Sequence, residues 1–263
     1  MFDQFVKTIA RISILAMVIL FHYSCNMYKN TIQSCSSIKL ISNIQFVKAD
    51  DNKLFFVADS LNIYYCDNYV LFQLPQYYGN STQDSDKGGD TIALKVKHME
   101  TKYGYVIYNK KNKYGYRFES LNVDKPQKIS VDSFLTIKAY KGFPFYSEHN
   151  DSLITSTRNV IKHTLVEKHI YKKKNDASYS DSIYYYYKNG FKNIEYSFST
   201  KLDSSRNLKL YKVRFIYNTV PKGNHNLDIP RREFLFEINN NNSRCNDIIN
   251  FVNQFKVKEI LMP

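Results

Sequence analysis

Three residues in the segment KHTLVEKHI have the types and the spacing for metal chemistry: His163, Glu167 and His169. In an extended strand alternate side chains share a face, so all three would lie on the same side. Two imidazole nitrogens and a carboxylate are reasonable zinc ligands. Their order differs from the H-E-x-x-H arrangement of helical metalloproteases. We therefore expect solvent-exposed strand histidines and no metal site, and name His163 and His169 as the candidate ligands if a metal is bound.

The segment YSEHNDS contains residue types used in nucleophilic catalysis, namely Glu148, His149, Asp151 and Ser152. Catalytic triads are assembled in space from distant segments, so this local adjacency argues against a triad. The chain has no G-x-S-x-G elbow, no phosphate-binding P-loop and no dinucleotide-binding glycine motif. We predict no catalytic residue and no cofactor, which favours a non-enzymatic protein.

Basic side chains form three clusters, at 110–113, at Lys172–Lys174 and at 231–232, and a run of tyrosines covers 184–187. Cations can hold phosphates while aromatic rings stack on bases or on sugar rings. In a strand, alternate tyrosines can equally fill the core while the others cover the outer face of the sheet. If a ligand is bound, the predicted ligand-binding residues are Lys110, Lys111, Lys113, Tyr185, Tyr187, Arg231 and Arg232.

The chain begins with the pattern of an export signal. Lys7 and Arg11 are followed by ten residues, Ile12 to Phe21, that are apolar except for Ser13. A membrane-spanning helix needs roughly 20 apolar residues, whereas the apolar part of a signal peptide needs about 7–15. Polar residues follow immediately, so the segment is too short to span a membrane and too polar at its end to form part of the core.

The end of this segment, Tyr23-Ser24-Cys25, resembles a bacterial lipoprotein signal, in which a small residue precedes the cysteine that receives the lipid. Ser24 matches that pattern, while His22 stands where an aliphatic residue is usual. With its Tyr-, Lys- and Asn-rich remainder, the chain is similar to envelope lipoproteins of the Bacteroidota. The resemblance implies removal of residues 1–24, a thioether from Cys25 to diacylglycerol, and a location in the periplasm or outer membrane. A secretory signal cut nearby and a retained anchor are the alternatives.

Three cysteines remain if Cys25 carries a lipid: Cys35, Cys66 and Cys245. An odd number in an oxidising compartment fits one disulfide and one buried thiol, and it also fits three buried thiols. No C-x-x-C pair is present, so neither a zinc knuckle nor thioredoxin chemistry is indicated.

The formal net charge of the 263 residues is +13. Lys7 and Arg11 against Asp3 contribute +1, which leaves +12 for the rest of the chain. A basic surface favours polyanionic partners, although an AT-biased genome also produces Lys-, Asn- and Tyr-rich chains. The expected partners are the membrane, through the lipid anchor, and an anionic glycan or an acidic protein; nucleic acid is not expected.

Alternation with period two dominates the chain from about Ile38 onward and predicts β-strands. The segment 102–120 is typical of a hairpin. A second hairpin is predicted at Asn189-Gly190, a dipeptide favoured in tight primed turns, with its returning strand over 191–199. Successive strands joined in this way form an antiparallel meander. Further strands are predicted around Ile92–Val96, Tyr211–Tyr217 and Phe234–Ile238.

Helical patterns cover 130–140 and the segment from Asn246 onward, in which Ile248, Val252 and Phe255 form an apolar stripe. The predicted class is α+β, a strand-dominated antiparallel meander with the C-terminal helix packed on one face. Loops are expected at 76–90 and 172–181. The expected organisation is a signal peptide (1–24), a tether (25–37) and a single β-rich domain (38–263), with a joint between two sheets near 145–165 as an alternative.

These observations leave three hypotheses for function. The first is a non-enzymatic, lipid-anchored envelope protein whose β-rich domain binds a partner or ligand. The second is a secreted hydrolase acting on an anionic polymer, with catalytic residues among Glu148, His149, His163 and His169. The third is an immunity-type protein that neutralises a toxin at the envelope.

Overall fold

The structure is a computed structural model that describes residues 32, 34–47, 53–85, 92–121, 125–137, 151–171, 180–191, 194–220, 229–241 and 245–259. The predicted export signal, Cys25, Glu148, His149 and Lys172–Lys174 lie outside these residues. The chain divides into two compact units: one is formed by Ser36–Ser243, and the other by Met1–Cys35 with Arg244–Pro263.

The larger unit contains one antiparallel sheet of 11 strands. Strands β1 to β6 follow one another from the middle of the sheet to one edge, and β11 back to β7 continue from the middle to the other edge. The two halves join where β1 pairs with β11. This arrangement confirms the strand-dominated α+β class and the meander. The strands are β1 (Ser36–Val47), β2 (Leu54–Cys66), β3 (Tyr69–Ser85), β4 (Ile92–Asn109), β5 (Tyr114–Phe118), β6 (Gln127–Ser130), β7 (Asp151–Asn159), β8 (Thr164–Tyr171), β9 (Ser182–Lys188), β10 (Lys209–Tyr217) and β11 (Arg232–Asn240).

The register of the pairs assigns alternate residues to two faces of the sheet. On the first, which we call face A, Ile38 lies beside Ile63, Ile63 beside Phe72, and Phe72 beside Val106. Face A continues across the other half of the sheet through Phe236, Val213, Tyr185 and Glu167. The opposite side, face B, carries Lys212, Arg214, Tyr184 and Tyr186. The main apolar core of this unit lies on face A.

Two short helices lie in the connections between strands. Helix α1 (Val131–Ile137) follows β6 and confirms the helix predicted over 130–140. Its Phe134 packs edge-on against Phe72 of face A, with ring centroids 5.2 Å apart. Helix α2 (Thr200–Arg206) lies between β9 and β10 and was not predicted. It begins where the Ser199 hydroxyl accepts from the Leu202 N–H, and it ends at Asn207 in the left-handed region, with φ of 52°.

The hairpin predicted at Asn189-Gly190 was wrong, although β9 and β10 do pair. Asn189–Phe191 form a 3₁₀ turn, and residues 194–199, the described part of the expected returning strand, are irregular. Tyr196 and Phe198 are nevertheless buried, 6% and 3% exposed, and pack into the core. The two buried rings are separated by one residue, which is the spacing of a strand, but they pack into the core from a segment that pairs with no other strand in the described part of the chain.

The loop predicted over 76–90 was wrong for residues 76–85, which belong to β3. They pair with β4 from Gln76 opposite Lys102 to Ser85 opposite Ile92, with one register shift after Asn80. A long ladder of backbone hydrogen bonds here outweighs the turn-forming tendency of the polar side chains.

The described part of the smaller unit contains helix α3 (Asn246–Glu259), as predicted. The expected stripe of Ile248, Val252 and Phe255 is buried, together with Phe251. The Asn253 side chain accepts from the Ile32 N–H at 2.9 Å and donates to the Ile32 carbonyl at 3.0 Å. No helix in the described residues is long and apolar enough to cross a membrane.

The cysteines follow the first of the two expected patterns in having disulfide-bonded residues, but the remaining described thiol is only half-buried. Cys35 and Cys66 are disulfide-bonded, and Cys66 is completely buried. Cys245 is a half-buried thiol outside any disulfide.

Candidate functional site

A cavity of about 560 Å³ lies on face A between the sheet and helix α1. Its wall is mostly apolar, because alternate residues of β2, β3 and β4 point towards the helix. Pockets that bind small molecules typically enclose roughly 300–1,000 Å³ and are lined mainly by apolar side chains with a few polar groups. The apolar residues that line this cavity are Leu61, Leu74, Pro75, Val106, Ile129 and Phe134.

A second cavity of about 250 Å³ shares Asp59 and Leu61 with the first. Tyr196 and Phe198 of the irregular segment form part of its wall. We call the two cavities together the groove. The remaining residues that line the second cavity are Leu40, Ile41, Ser42, Ile44, Ser60 and Phe236.

The polar groups of the groove lie along its rim. Arg117 and Asp59 are exposed, and the half-buried amide of Gln76 lies over Gly104, where an added Cβ would come within 2.3 Å of the Gln76 nitrogen. Arg117 sits beside Val106 on face A. The first cavity therefore combines an apolar wall with one exposed guanidinium, one exposed carboxylate and the hydroxyls of Ser130 and Ser133. The guanidinium is the group with which the acidic head of an amphiphile could pair.

Apolar surface continues on face A beyond the second cavity. Phe46 and Phe55, on paired positions of β1 and β2, stack with ring centroids 5.6 Å apart and remain 41% and 39% exposed. Phe234 of β11 lies 6.2 Å from Phe46 and 4.9 Å from Tyr217. Partly exposed rings so arranged form an extended apolar patch, and such patches mark binding surfaces more often than chance.

The two histidines proposed as metal candidates are not brought together. His163 is an exposed turn residue with φ of 47°, whereas His169 is 4% exposed within β8. The two histidines are six residues apart along an extended segment, which separates them by about 20 Å. The expectation that both histidines are exposed was therefore wrong for His169, because Leu165, Glu167 and His169 together form the inward side of β8. In the described part of the chain, no group of three or more His, Cys, Asp or Glu side chains could hold a metal ion.

His169 belongs to a buried ionic cluster that the sequence did not reveal. Its Nδ1 lies 3.5 Å from an Asp151 carboxylate oxygen and its Nε2 3.5 Å from Glu167. Arg206 of α2 donates from Nε to Glu167 at 2.6 Å, and the Tyr187 hydroxyl donates to Glu167 at 3.3 Å. Burial, and then the Glu167 charge, raise the pKa of Tyr187 well above its ordinary value. Glu167, Arg206 and Tyr187 satisfy one another inside the core, which is the arrangement of a structural network, while the buried Nδ1 of His169 makes no hydrogen bond with the described residues.

The tyrosines predicted to bind a ligand lie in the core. Tyr185 and Tyr187 are both 0% exposed, because they occupy face A. Tyr184 and Tyr186 are the pair on face B, and cations already cover them: Arg214 lies 4.9 Å from the Tyr184 ring centroid and Lys212 lies 5.5 Å from that of Tyr186. The alternative assignment, in which alternate tyrosines fill the core and the others cover the outer face, describes this strand.

The predicted basic residues do not converge on one site. Lys110, Lys111 and Lys113 are at the β4–β5 turn, and Lys110 pairs with Glu195 at 2.5 Å. Arg231 and Arg232 are at the start of β11, where Arg231 pairs with Glu233 and Arg232 stacks on Tyr217. The register aligns the β4–β5 turn with the last residues of β11, near Asn240. Arg231 and Arg232 are at the first residues of β11, so the two basic clusters lie at opposite ends of the strands.

The groove is the candidate site that sequence reasoning missed. Its residues come from β1 to β6, β11, α1 and the segment before α2, and the apolar ones cannot be told from ordinary core positions by their sequence pattern. Two charged residues at positions on face A, Arg117 of β5 and Asp59 of β2, are the local signals. No known protein family matches the chain, and no curated protein is significantly similar to it.

Proposed function

We propose that this protein is a non-enzymatic, lipid-anchored protein of the cell envelope that binds an amphiphile with an apolar chain and an acidic head. The groove on face A carries the proposal. The apolar chain occupies the two neighbouring cavities, and the acidic head pairs with Arg117.

The energetics favour an apolar ligand. Removing apolar surface from water contributes roughly 25 cal/mol per Å², and both the ligand and the half-exposed side chains of the groove would lose such surface. Leu61 and Leu74 are only half-buried, so a bound chain would complete their burial. The Asp59 carboxylate at the rim disfavours an acidic head at its own side and directs that head towards Arg117.

Two features support the location. Disulfides persist in exported compartments and are rare in the cytosol, and Cys35 and Cys66 are disulfide-bonded. The Tyr23-Ser24-Cys25 segment resembles a lipoprotein signal, with Cys25 as the lipid-bearing residue. An anchored protein with its own amphiphile site would hold or pass a lipid-like molecule at the membrane surface.

Substitution of Leu61 by Trp tests the groove, because Leu61 lines both cavities. We expect the larger ring to fill space in the cavities beside it and to weaken binding of a fluorescent fatty acid at least about ten-fold. The measurement is a titration with the probe, followed by displacement with unlabelled fatty acid.

The matched control is Leu235→Trp. Leu235 is also half-buried but lies on face B, beside Arg214 and Asn43. The Leu235→Trp variant should bind the probe as tightly as the unsubstituted protein does. Equal binding by the Leu61 variant, or equal loss in both variants, would contradict a site in the groove.

A further inference from the structure

The turn that joins β7 to β8 presents the two most exposed large apolar side chains in the described part of the chain. Val160 is 73% exposed and Ile161 is 91% exposed. Tight turns are usually built from Gly, Pro, Asn, Asp and Ser, so two β-branched aliphatic residues at this position contribute nothing to turn formation. Their exposure lowers solubility, and packing within the described part of the chain does not compensate for it.

The turn has a defined conformation. The Lys162 N–H donates to the Asn159 side-chain oxygen at 2.9 Å, and the His163 N–H donates to the Val160 carbonyl at 3.3 Å. The Asn189 N–H donates to the His163 carbonyl at 3.1 Å, which ties the turn to the end of β9. Val160 and Ile161 are therefore presented by a hydrogen-bonded turn on a paired hairpin.

The charge around the turn has one sign. Residues 156–164 contain Arg158 and Lys162 and no Asp or Glu. Lys188 of β9 is paired opposite Thr164, so a third basic residue lies at the same end of the strands as the turn. An apolar tip surrounded by basic residues fits a surface that offers hydrocarbon beneath a layer of negative charge.

A cavity of about 250 Å³ adjoins the turn. Val160 and Leu208 form the apolar part of its wall. Its polar groups come from Arg158, from His163, from Arg206, which also pairs with Glu167, and from side-chain amides and the Thr164 hydroxyl. Cationic groups and hydrogen-bond donors around one small cavity match a phosphate group. Its place at the base of the apolar tip corresponds to the depth at which headgroups would lie if the tip entered the acyl layer.

We propose that the β7–β8 turn docks on an anionic phospholipid surface, with Val160 and Ile161 inserted among the acyl chains and the basic residues around them paired with lipid phosphates. A glycan offers no hydrocarbon layer for two aliphatic side chains. This contact is separate from the groove and from the lipid on Cys25, and it would orient an anchored molecule on its membrane.

The chain contains no Trp, so a single introduced Trp reports its own surroundings without background. We expect Ile161→Trp to show a blue-shifted emission with vesicles containing phosphatidylglycerol, and quenching by brominated acyl chains. Vesicles of phosphatidylcholine alone, and inorganic phosphate alone, should produce neither change. Because the readout is local, it applies to the full chain whether or not Cys25 carries a lipid.

Ile154→Trp is the matched control, because Ile154 is 50% exposed on the same hairpin and lies seven residues, about 20 Å, from Ile161. It should show no shift. Adding Arg158→Glu and Lys162→Glu to the Ile161 variant should weaken the response at least about ten-fold. Val160→Trp gives a second reporter and should behave as Ile161→Trp does.

Three results would overturn the proposal: no shift at 160 or 161 with anionic vesicles, an equal shift at 154, or an equal response to phosphate or to neutral vesicles. Circular dichroism on each variant confirms that the comparison is between folded proteins.

Discussion

Asp203→Asn is expected to lower the free energy of unfolding by about 3–5 kcal/mol, because it leaves a buried ammonium without its counter-charge. Lys209 lies 3.0 Å from the Asp203 carboxylate, and the two side chains are only 8% and 16% exposed. The same carboxylate accepts from the Leu210 N–H and from the Ser197 hydroxyl, each at 2.7 Å. It thus connects helix α2, strand β10 and the irregular segment before the helix.

This contact also supports the groove. Ser197 lies between Tyr196 and Phe198, the two rings that form part of the wall of the second cavity. Releasing Ser197 should loosen both rings, so we expect the variant to bind the fatty-acid probe more weakly even under conditions where it is folded. Chemical denaturation measures the first effect and probe titration the second.

The matched control is Glu100→Gln, which breaks the exposed pair between Glu100 and Lys102. Their side chains are 59% and 58% exposed, and such pairs contribute about 0–1 kcal/mol. A loss of less than about 1 kcal/mol in the Asp203 variant, equal to that of the control, would show that Asp203 does not hold these three elements together.

Cys66→Ala is expected to lower the free energy of unfolding by about 2–5 kcal/mol, since it removes a native disulfide. Cys66 is completely buried, so the substitution also removes packed volume from the core. Reductant should destabilise the unsubstituted protein by a similar amount and should have little further effect on the variant. The measurement is urea unfolding with and without reductant.

Cys245→Ala is the control, because Cys245 is half-buried and outside any disulfide. It should change the free energy of unfolding by less than about 1 kcal/mol. If reductant leaves the unsubstituted protein unchanged while Cys66→Ala destabilises it, the effect is one of packing alone and the disulfide makes no contribution to stability.

Local alternation was sufficient to predict much of the sheet. The hairpin predicted over 102–120 is present as β4 and β5, in which Tyr105 lies opposite Phe118 and Ile107 lies opposite Tyr116. The stripe of α3 was predictable for a similar reason, since an apolar period of 3.6 residues is a local signal.

The residues of a strand did not always indicate which of its two sides faces the core. In β8, Val166 and Ile170 are apolar on one side, while Leu165 shares the other with Glu167 and His169. The ionic side faces the core because Arg206, nearly forty residues later, pairs with Glu167. No pattern within the strand indicates that partner.

The segment 194–206 shows the same limit. Its burial and its helix depend on Asp203 reaching Lys209, Leu210 and Ser197, whereas the Asn189-Gly190 dipeptide suggested a hairpin turn. The groove depends in turn on this segment and on α1, so its cavities were beyond what residue spacing could predict.

Native mass spectrometry of the protein extracted from the membranes of its source tests the central claim most directly. We predict a non-covalent adduct with the mass of an acidic amphiphile, absent from the Leu61→Trp variant and retained by Leu235→Trp. Under denaturing conditions the same sample should show a chain beginning at Cys25 with the covalent lipid attached. A native spectrum without any adduct, or an adduct retained by the Leu61 variant, would contradict the groove as the binding site; an unmodified Cys25 would contradict the anchor alone.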